Sequence, residues 1–243
     1  MILDYCEILG NTLVAQPSGE EAPISASHFT KCFQAMIQCH SYTCLGAKKV
    51  ERDNNLRFGI FNAECDQKRG QLIASGLKKF EDHRDDLSDI YASYVAIFPD
   101  WSPQSETEFE KSLWRTLQQV HDYDHQQGQA WDDSKSLDSM DPNFGFSVNG
   151  KAYFIVGLHP GSSRWARRFP WPALVFNAHS QFELLYFQNK FDKLKQANRD
   201  RDTNLQGFPN PQMVGIKEIT EAKQYSGRDS EKDWQCPFIN HHS

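Results

Sequence analysis

The residues best suited to chemistry lie in the segment GLHPGSSRWARRF at positions 157–169. It contains one histidine, His159, and three arginines, Arg164, Arg167 and Arg168. An imidazole can bind a metal or move a proton, and small turn residues followed by arginines can hold an anion through N–H groups and guanidinium forks. The segment predicts either a metal or proton-transfer site beside an anion site, or a surface loop with solvated arginines.

A second histidine, His121, is predicted to point into the core. The sequence SETE at positions 105–108 matches a capping box, which marks the start of a helix. Apolar residues then recur at steps of three and four up to His121, so these side chains share one helix face. Asp124 would be placed to hold one ring nitrogen of His121. On that pattern alone, His121 is either a metal ligand or a core histidine whose hydrogen bonds are satisfied.

A hairpin is predicted to position His159. The runs 144–148 and 152–156 are joined by Asn149 and Gly150, a residue pair that favours a type I′ turn. The second run ends just before His159, so this histidine would lie at the end of a stiff strand.

The remaining pattern predicts an α+β fold. Helices are expected over 25–39 and 71–86, and strands over 56–61, 91–98 and 172–176. Asn177 is a candidate cap for a helix that contains Gln181, and the polar run 190–204 predicts a solvated helix. We expect a single domain over residues 1–243, with a mostly antiparallel sheet flanked by helices and an N-terminal helical segment over residues 1–40.

Composition narrows the function classes. The 243 residues carry a net charge of −6, which gives no electrostatic indication of nucleic-acid binding. The first residues show no signal peptide and no run reaches membrane-spanning length, so we expect a cytoplasmic protein that does not engage a membrane. The chain lacks GxSxG, Walker A and GxGxxG motifs, which argues against common hydrolase and nucleotide-cofactor sites.

Six cysteines are present and none forms a CxxC pair, so a zinc ribbon is not expected. Most are expected to be reduced and buried. Cys44 and Cys236 differ from the others only in the motifs that contain them.

Several motifs follow one another in a distinctive order. Besides 157–169, they are TCLGAK (43–48), LQQVHDYD (117–124), LVFNAHSQFE (174–183), RDRD (199–202), LQGFPNP (205–211), EAKQYSGR (221–228) and WQCPF (234–238). In this order the chain resembles the YqcI/YcgG family, which includes heme-dependent N-hydroxylases of guanitoxin and cycloserine biosynthesis. The likeness runs from about residue 40 to the end, with Thr43 where the family pattern has proline.

The resemblance implies a heme-dependent oxygenase that hydroxylates a nitrogen of a small amine or guanidino amino acid. Heme iron would have one axial histidine and would use O2, and a separate reductase would supply electrons because no flavin or NAD(P) motif is present. A homodimer is also an open expectation.

If the protein binds heme, the positions of particular residues suggest their roles. His159 is the preferred iron ligand and His121 the second choice. His179 is expected in the distal pocket, and Glu183 or Asp124 would face a cationic substrate. The residues expected to hold the heme propionates or a substrate carboxylate are Arg164, Arg168 and Arg228, and Cys236 is a further candidate at the cofactor.

Two alternatives stay open at this level. One is a heme-binding sensor or carrier without catalysis. The other is a non-heme iron oxygenase whose two histidines and one carboxylate come from His121, Asp124, His159 and His179.

Overall fold

The computed structural model describes residues 3–88, 90–209 and 219–242. Eight strands form one sheet in the order β3-β2-β1-β4-β5-β8-β7-β6. They are β1 (Leu3–Leu9), β2 (Thr12–Ala15), β3 (Glu20–Glu21), β4 (Leu56–Ile60), β5 (Ser93–Ile97), β6 (Phe146–Val148), β7 (Lys151–Leu158) and β8 (Ala173–Ala178). All neighbours are antiparallel except β4 and β5. The predicted α+β class with a mostly antiparallel sheet is confirmed.

Helices cover both faces of this sheet. They are α1 (Ile24–Gln38), α2 (Leu45–Arg52), α3 (Arg69–Asp82), α4 (Glu106–Gln126), α5 (His179–Phe187), α6 (Phe191–Gln206) and α7 (Ala222–Tyr225). Buried side chains of α3 and α4 belong to one apolar cluster, and those of α1 and α2 to another. Alternate residues of β5 contribute to each cluster, Tyr94 to the first and Val95 to the second. The sheet therefore separates two cores, as the period of two in a strand requires.

The capping box and the hairpin form as predicted. Ser105 Oγ accepts a hydrogen bond from Glu108 N at 3.2 Å, and Glu108 Oε2 accepts one from Gln104 N at 2.7 Å. In the hairpin turn, Asn149 and Gly150 have φ angles of 53° and 71°, the left-handed values that a type I′ turn needs.

The first part of the chain corrects one prediction. Residues 1–40 were expected to be helical, but β1, β2 and β3 precede α1. β1 pairs with both β2 and β4, so the N-terminus extends the sheet. The helix predicted over 25–39 is confirmed as α1.

The predicted cap of α5 is wrong. Asn177 does not cap α5; it lies within β8, and its side chain accepts a hydrogen bond from Ser93 Oγ at 2.7 Å. The helix predicted as solvated over 190–204 forms as α6, with one buried residue, Asp202, which is 3% exposed. The sequence also predicts an ordered turn at Gly207, Pro209 and Pro211. Part of it lies outside the described residues, and Gly207 itself ends α6 with a φ of 88°.

No helix in the described ranges has both the length and the apolar character needed to cross a bilayer.

Candidate functional site

His159 follows the last residue of β7 and is 1% exposed. Its backbone N–H donates to Arg167 O at 3.1 Å, and its ring stacks on Phe109 of α4 with the centroids 4.4 Å apart. Neither Nδ1 nor Nε2 has a hydrogen-bond partner. Burial lowers the pKa of His159, with Glu106 acting to raise it and Arg167 to lower it, so the neutral ring is favoured. A neutral imidazole with a free lone pair is the state that binds a metal.

His121 is fully buried on α4, as its helical spacing predicted. Its Nε2 accepts a hydrogen bond from His241 N at 2.9 Å, whereas its Nδ1 is buried without a partner. Burial and the neighbouring His242 and His241 lower the pKa of His121 to about 4, so the ring is neutral near pH 7. A neutral ring that accepts at Nε2 carries its proton on Nδ1, so no lone pair is free for iron.

The expected pairing of Asp124 with His121 is wrong. Asp124 Oδ1 instead accepts a hydrogen bond from Asn149 N at 3.0 Å, which ties the end of α4 to the hairpin turn. Burial raises the pKa of Asp124 to about 6, partly opposed by this hydrogen bond.

The three candidate histidines do not share a site. Phe109, on which His159 stacks, precedes His121 by more than three turns of α4, which is about 18 Å at about 1.5 Å per residue. His159 and His179 follow opposite ends of the paired strands β7 and β8, a separation of roughly 20 Å at about 3.3 Å per residue. The expected position of His179 in a pocket next to His159 is therefore wrong.

The non-heme iron alternative finds no site in the part of the chain that the structure describes. There, no three His, Cys, Asp or Glu side chains are grouped so as to hold a metal ion. The separation of His121, His159 and His179 accounts for this.

His179 belongs to a different polar network. Its Nε2 lies 3.0 Å from Glu221 Oε1, and the hydroxyl of Tyr225 donates to the same oxygen at 2.5 Å. Tyr225 is fully buried, and its hydroxyl also accepts from Phe146 N at 3.1 Å. Glu221 and Tyr225 were not predicted as site residues, although their spacing of four residues within one motif is typical of helix neighbours that interact. Glu183, expected near substrate, is exposed and lies 3.8 Å from Lys135 Nζ.

The arginines after His159 have distinct environments. Arg164 is buried, and its Nη2 lies 3.4 Å from Asp202 Oδ2 while its Nε has no partner. Arg168 is exposed; its Nε donates to Ser162 O at 2.7 Å, and its guanidinium lies 5.7 Å from the centre of the Trp165 ring. Both predicted anion-binding residues follow His159 in the same loop, and Arg168 bonds Ser162, whose N–H donates to His159 O at 3.3 Å.

Arg167 is the anchor of this segment, a role that the sequence did not reveal. Its guanidinium donates to Gly157 O at 3.1 Å, Tyr225 O at 2.9 Å and Gln224 O at 3.0 Å. Burial, together with the neighbouring Arg164, lowers the pKa of Arg167 to about 9. Three carbonyl acceptors hold the loop after β7 against the 221–228 motif.

The other two predicted cofactor-binding residues lie elsewhere. Arg228 donates from Nη2 to Glu110 Oε2 at 2.8 Å and from Nη1 to Glu231 Oε1 at 2.8 Å. These two carboxylates compensate its charge, which leaves it poorly suited to a propionate. Cys236 is half-buried, and burial raises the pKa of its thiol to about 11, so a thiolate ligand is not favoured near pH 7.

His121 and Asp124 are buried on α4, so we expect the free energy of unfolding to depend on pH. His121 binds a proton more readily in the unfolded chain, where its pKa is about 6.5, so the free energy of unfolding falls as pH drops from about 6.5 to about 4. Asp124 binds a proton more readily in the folded protein, so the same quantity rises as pH drops from about 6 to about 4. The groups facing His121 are His242, His241, Asp122 and His125.

Single substitutions should separate these opposing contributions. We expect Asp124→Asn to lose stability more steeply than the wild type between pH 6.5 and 4, and His121→Gln to lose it less steeply. The difference should be about 3 kcal/mol for each, because folding shifts each pKa by roughly two units and one unit corresponds to about 1.4 kcal/mol. Urea unfolding at pH 4 to 7.5 measures it. If the stability of each variant varied with pH in parallel with that of the wild type, folding would not shift the pKa of either group.

Comparison with known proteins gives one result. The model of the YqcI/YcgG family matches residues 33–239. No curated protein and no solved structure shows a significant match to this chain.

Proposed function

The chain belongs to the YqcI/YcgG family, and we propose that it is a heme-dependent oxygenase that N-hydroxylates a small amine or guanidino amino acid. The observation that carries the proposal is His159, whose two ring nitrogens are buried and unpartnered at the end of a strand, followed in the chain by Arg164 and Arg168. A buried histidine without partners is uncommon, because each unmet polar group costs free energy. A metal at one nitrogen would remove the cost at that nitrogen.

The donor set is compatible with a heme. His159 would provide the axial ligand, and Arg164 and the exposed Arg168 would meet a heme propionate or a substrate carboxylate. Arg167 would hold the loop in place through its three carbonyl acceptors. When bound, heme would supply the iron at which O2 is activated for transfer of one oxygen atom to the substrate nitrogen.

Other features of the protein would orient the His159 ring and exclude water from it. Phe109 fixes the plane of the His159 ring by stacking, so the ring is oriented before any ligand binds. Burial of the ring keeps it neutral and excludes water from its nitrogens. Electrons would come from a separate reductase, and a homodimer remains part of the proposal.

The pyridine hemochrome assay tests the cofactor. We expect protein produced with ample heme supply, or reconstituted with hemin, to show a Soret band and close to one heme per chain. Protein that stays colourless and takes up no hemin would refute the proposal. If heme is bound, titration with amines and guanidines follows, since a shift of the Soret band separates an enzyme from a heme sensor or carrier without a substrate pocket.

A further inference from the structure

A cleft of about 420 Å³ opens beside the arginine segment. Its walls combine apolar and aromatic side chains from α1, the following loop, the 164–168 segment and α6. They include Met36, Tyr42, Trp165 and Leu205, with Arg168 as the cation. Trp165 is 53% exposed, an unusually open position for an indole ring.

Positive charge concentrates around this cleft although the whole chain is acidic. Lys48 Nζ donates to Cys39 O at 2.6 Å, and Arg201 Nη2 donates to Tyr42 O at 2.9 Å, so both cations contact the loop that forms one wall. Arg164 and Arg168 approach from the other wall, with Arg167 behind them.

The carboxylates near these cations do not line the cleft. Asp202 lies 3.4 Å from Arg164, and Glu106, which accepts from Ser163 N at 2.9 Å, acts on Arg164 from farther away. Among the described residues that line the cleft, Arg168 is the charged one. Its positive charge favours an anion and opposes a cationic group in the same place.

The N–H donors of Arg168 point the same way. Arg168 is exposed, and its Nε donates to Ser162 O at 2.7 Å. A guanidinium has five N–H donors and no acceptor, so the remaining donors of Arg168 suit an incoming carboxylate.

We infer that this cleft binds a small carboxylate with a flat apolar body, its carboxylate on Arg168 and its body between Trp165, Tyr42 and Leu205. The inference rests on the charge and remaining N–H donors of Arg168 and on the exposure of Trp165, and it does not require heme. It deepens the proposed function in one respect, since an arginine-like substrate would have to direct its cationic end away from these arginines.

Calorimetry with benzoate tests the inference on the purified full-length chain. We expect benzoate to bind and benzamide, its neutral analogue, to bind at least about tenfold more weakly, because charge-assisted hydrogen bonds are the stronger ones. Arg168→Gln should raise the Kd for benzoate about tenfold. Arg52→Gln, which changes an exposed arginine on α2, is the matched control and should leave the Kd unchanged.

Further variants and probes give each part of the inference its own test. Trp165→Ala should weaken benzoate binding several-fold while leaving the binding of inorganic phosphate unchanged. Thermal unfolding confirms that the variants fold, which their exposed positions favour. Equal affinities for benzoate and benzamide, or equal effects of the Arg168 and Arg52 substitutions, would overturn the inference.

The test of the carboxylate site and the test of the proposed function give distinguishable results. Heme-free protein that binds benzoate and takes up no hemin would retain this site and refute the oxygenase. If the protein takes up hemin but does not bind benzoate even when heme-free, the carboxylate site is refuted and the proposed function is retained. Loss of benzoate binding only after hemin loading would assign the arginines to the propionates and overturn the inference of an independent site.

Discussion

Replacing His159 with alanine is expected to abolish the Soret band of reconstituted protein. The wild-type ring has two unpartnered nitrogens and a depressed pKa, so it can offer a lone pair to iron, and no other candidate histidine combines these features. His121 uses Nε2 to accept from His241 N, and His179 is occupied with Glu221. Free imidazole should partly restore the spectrum by entering the space that the substitution vacates beside Phe109.

His179→Ala is the matched control. It removes a histidine that follows the neighbouring strand β8, roughly 20 Å away, and we expect the heme spectrum to be retained. A wild-type spectrum in His159→Ala would contradict the assignment. If His121→Ala alone then lost the heme and recovered it with imidazole, the helix histidine would be the ligand and the His241 N–H contact would have to break on binding.

Asp202→Ala is expected to destabilise the fold by about 3–5 kcal/mol, since removal of one partner leaves a buried charge uncompensated. The side chains of Asp202 and Arg164 are only 5% and 10% exposed, and Arg167 adds a second buried cation nearby. The free energy of unfolding from urea titration measures the loss. Acetate at high concentration should recover part of it by occupying the vacated anion position.

Two comparisons make this result specific. Asp200→Ala changes an exposed carboxylate of the same helix, whose described contact is with Gln196, and should alter stability by no more than about 0.5 kcal/mol. The double variant Arg164→Met, Asp202→Leu should lose less stability than Asp202→Ala, because it removes both charges. Equal losses for Asp202→Ala and Asp200→Ala would show that the buried pair contributes little.

Local pattern was enough to predict the elements that carry the site. The start of α4 follows from Ser105 and Glu108, whose side chains bond the backbone within one helical turn. The β6–β7 hairpin follows from Asn149 and Gly150, because few residue pairs adopt two left-handed conformations in succession. The inward direction of His121 follows from helical spacing. In each case, the interacting groups are a few residues apart, so the local sequence is enough to predict the structure.

The partners of the charged side chains were not predictable in this way. Asp202 belongs to a charge run typical of a solvated helix face, yet packing of α6 against the 164–168 segment buries it on Arg164. Arg228 was expected at an anion, but α4 brings Glu110 to it from a position more than a hundred residues earlier in the chain. The buried face of a polar helix depends on the element that packs against it. The local spacing of residues does not identify that element.

The sequence by itself determined the fold class, the extent of α1, the start of α4, the hairpin and the place of His159 at the end of a strand, because these depend on backbone preferences and on the spacing of apolar residues. Only the tertiary structure decided that His121, His159 and His179 lie far apart, that Arg167 anchors the loop and that Arg168 lines a cleft with Trp165. Sheet order and helix packing set these distances, and both arise from contacts between residues distant in the chain.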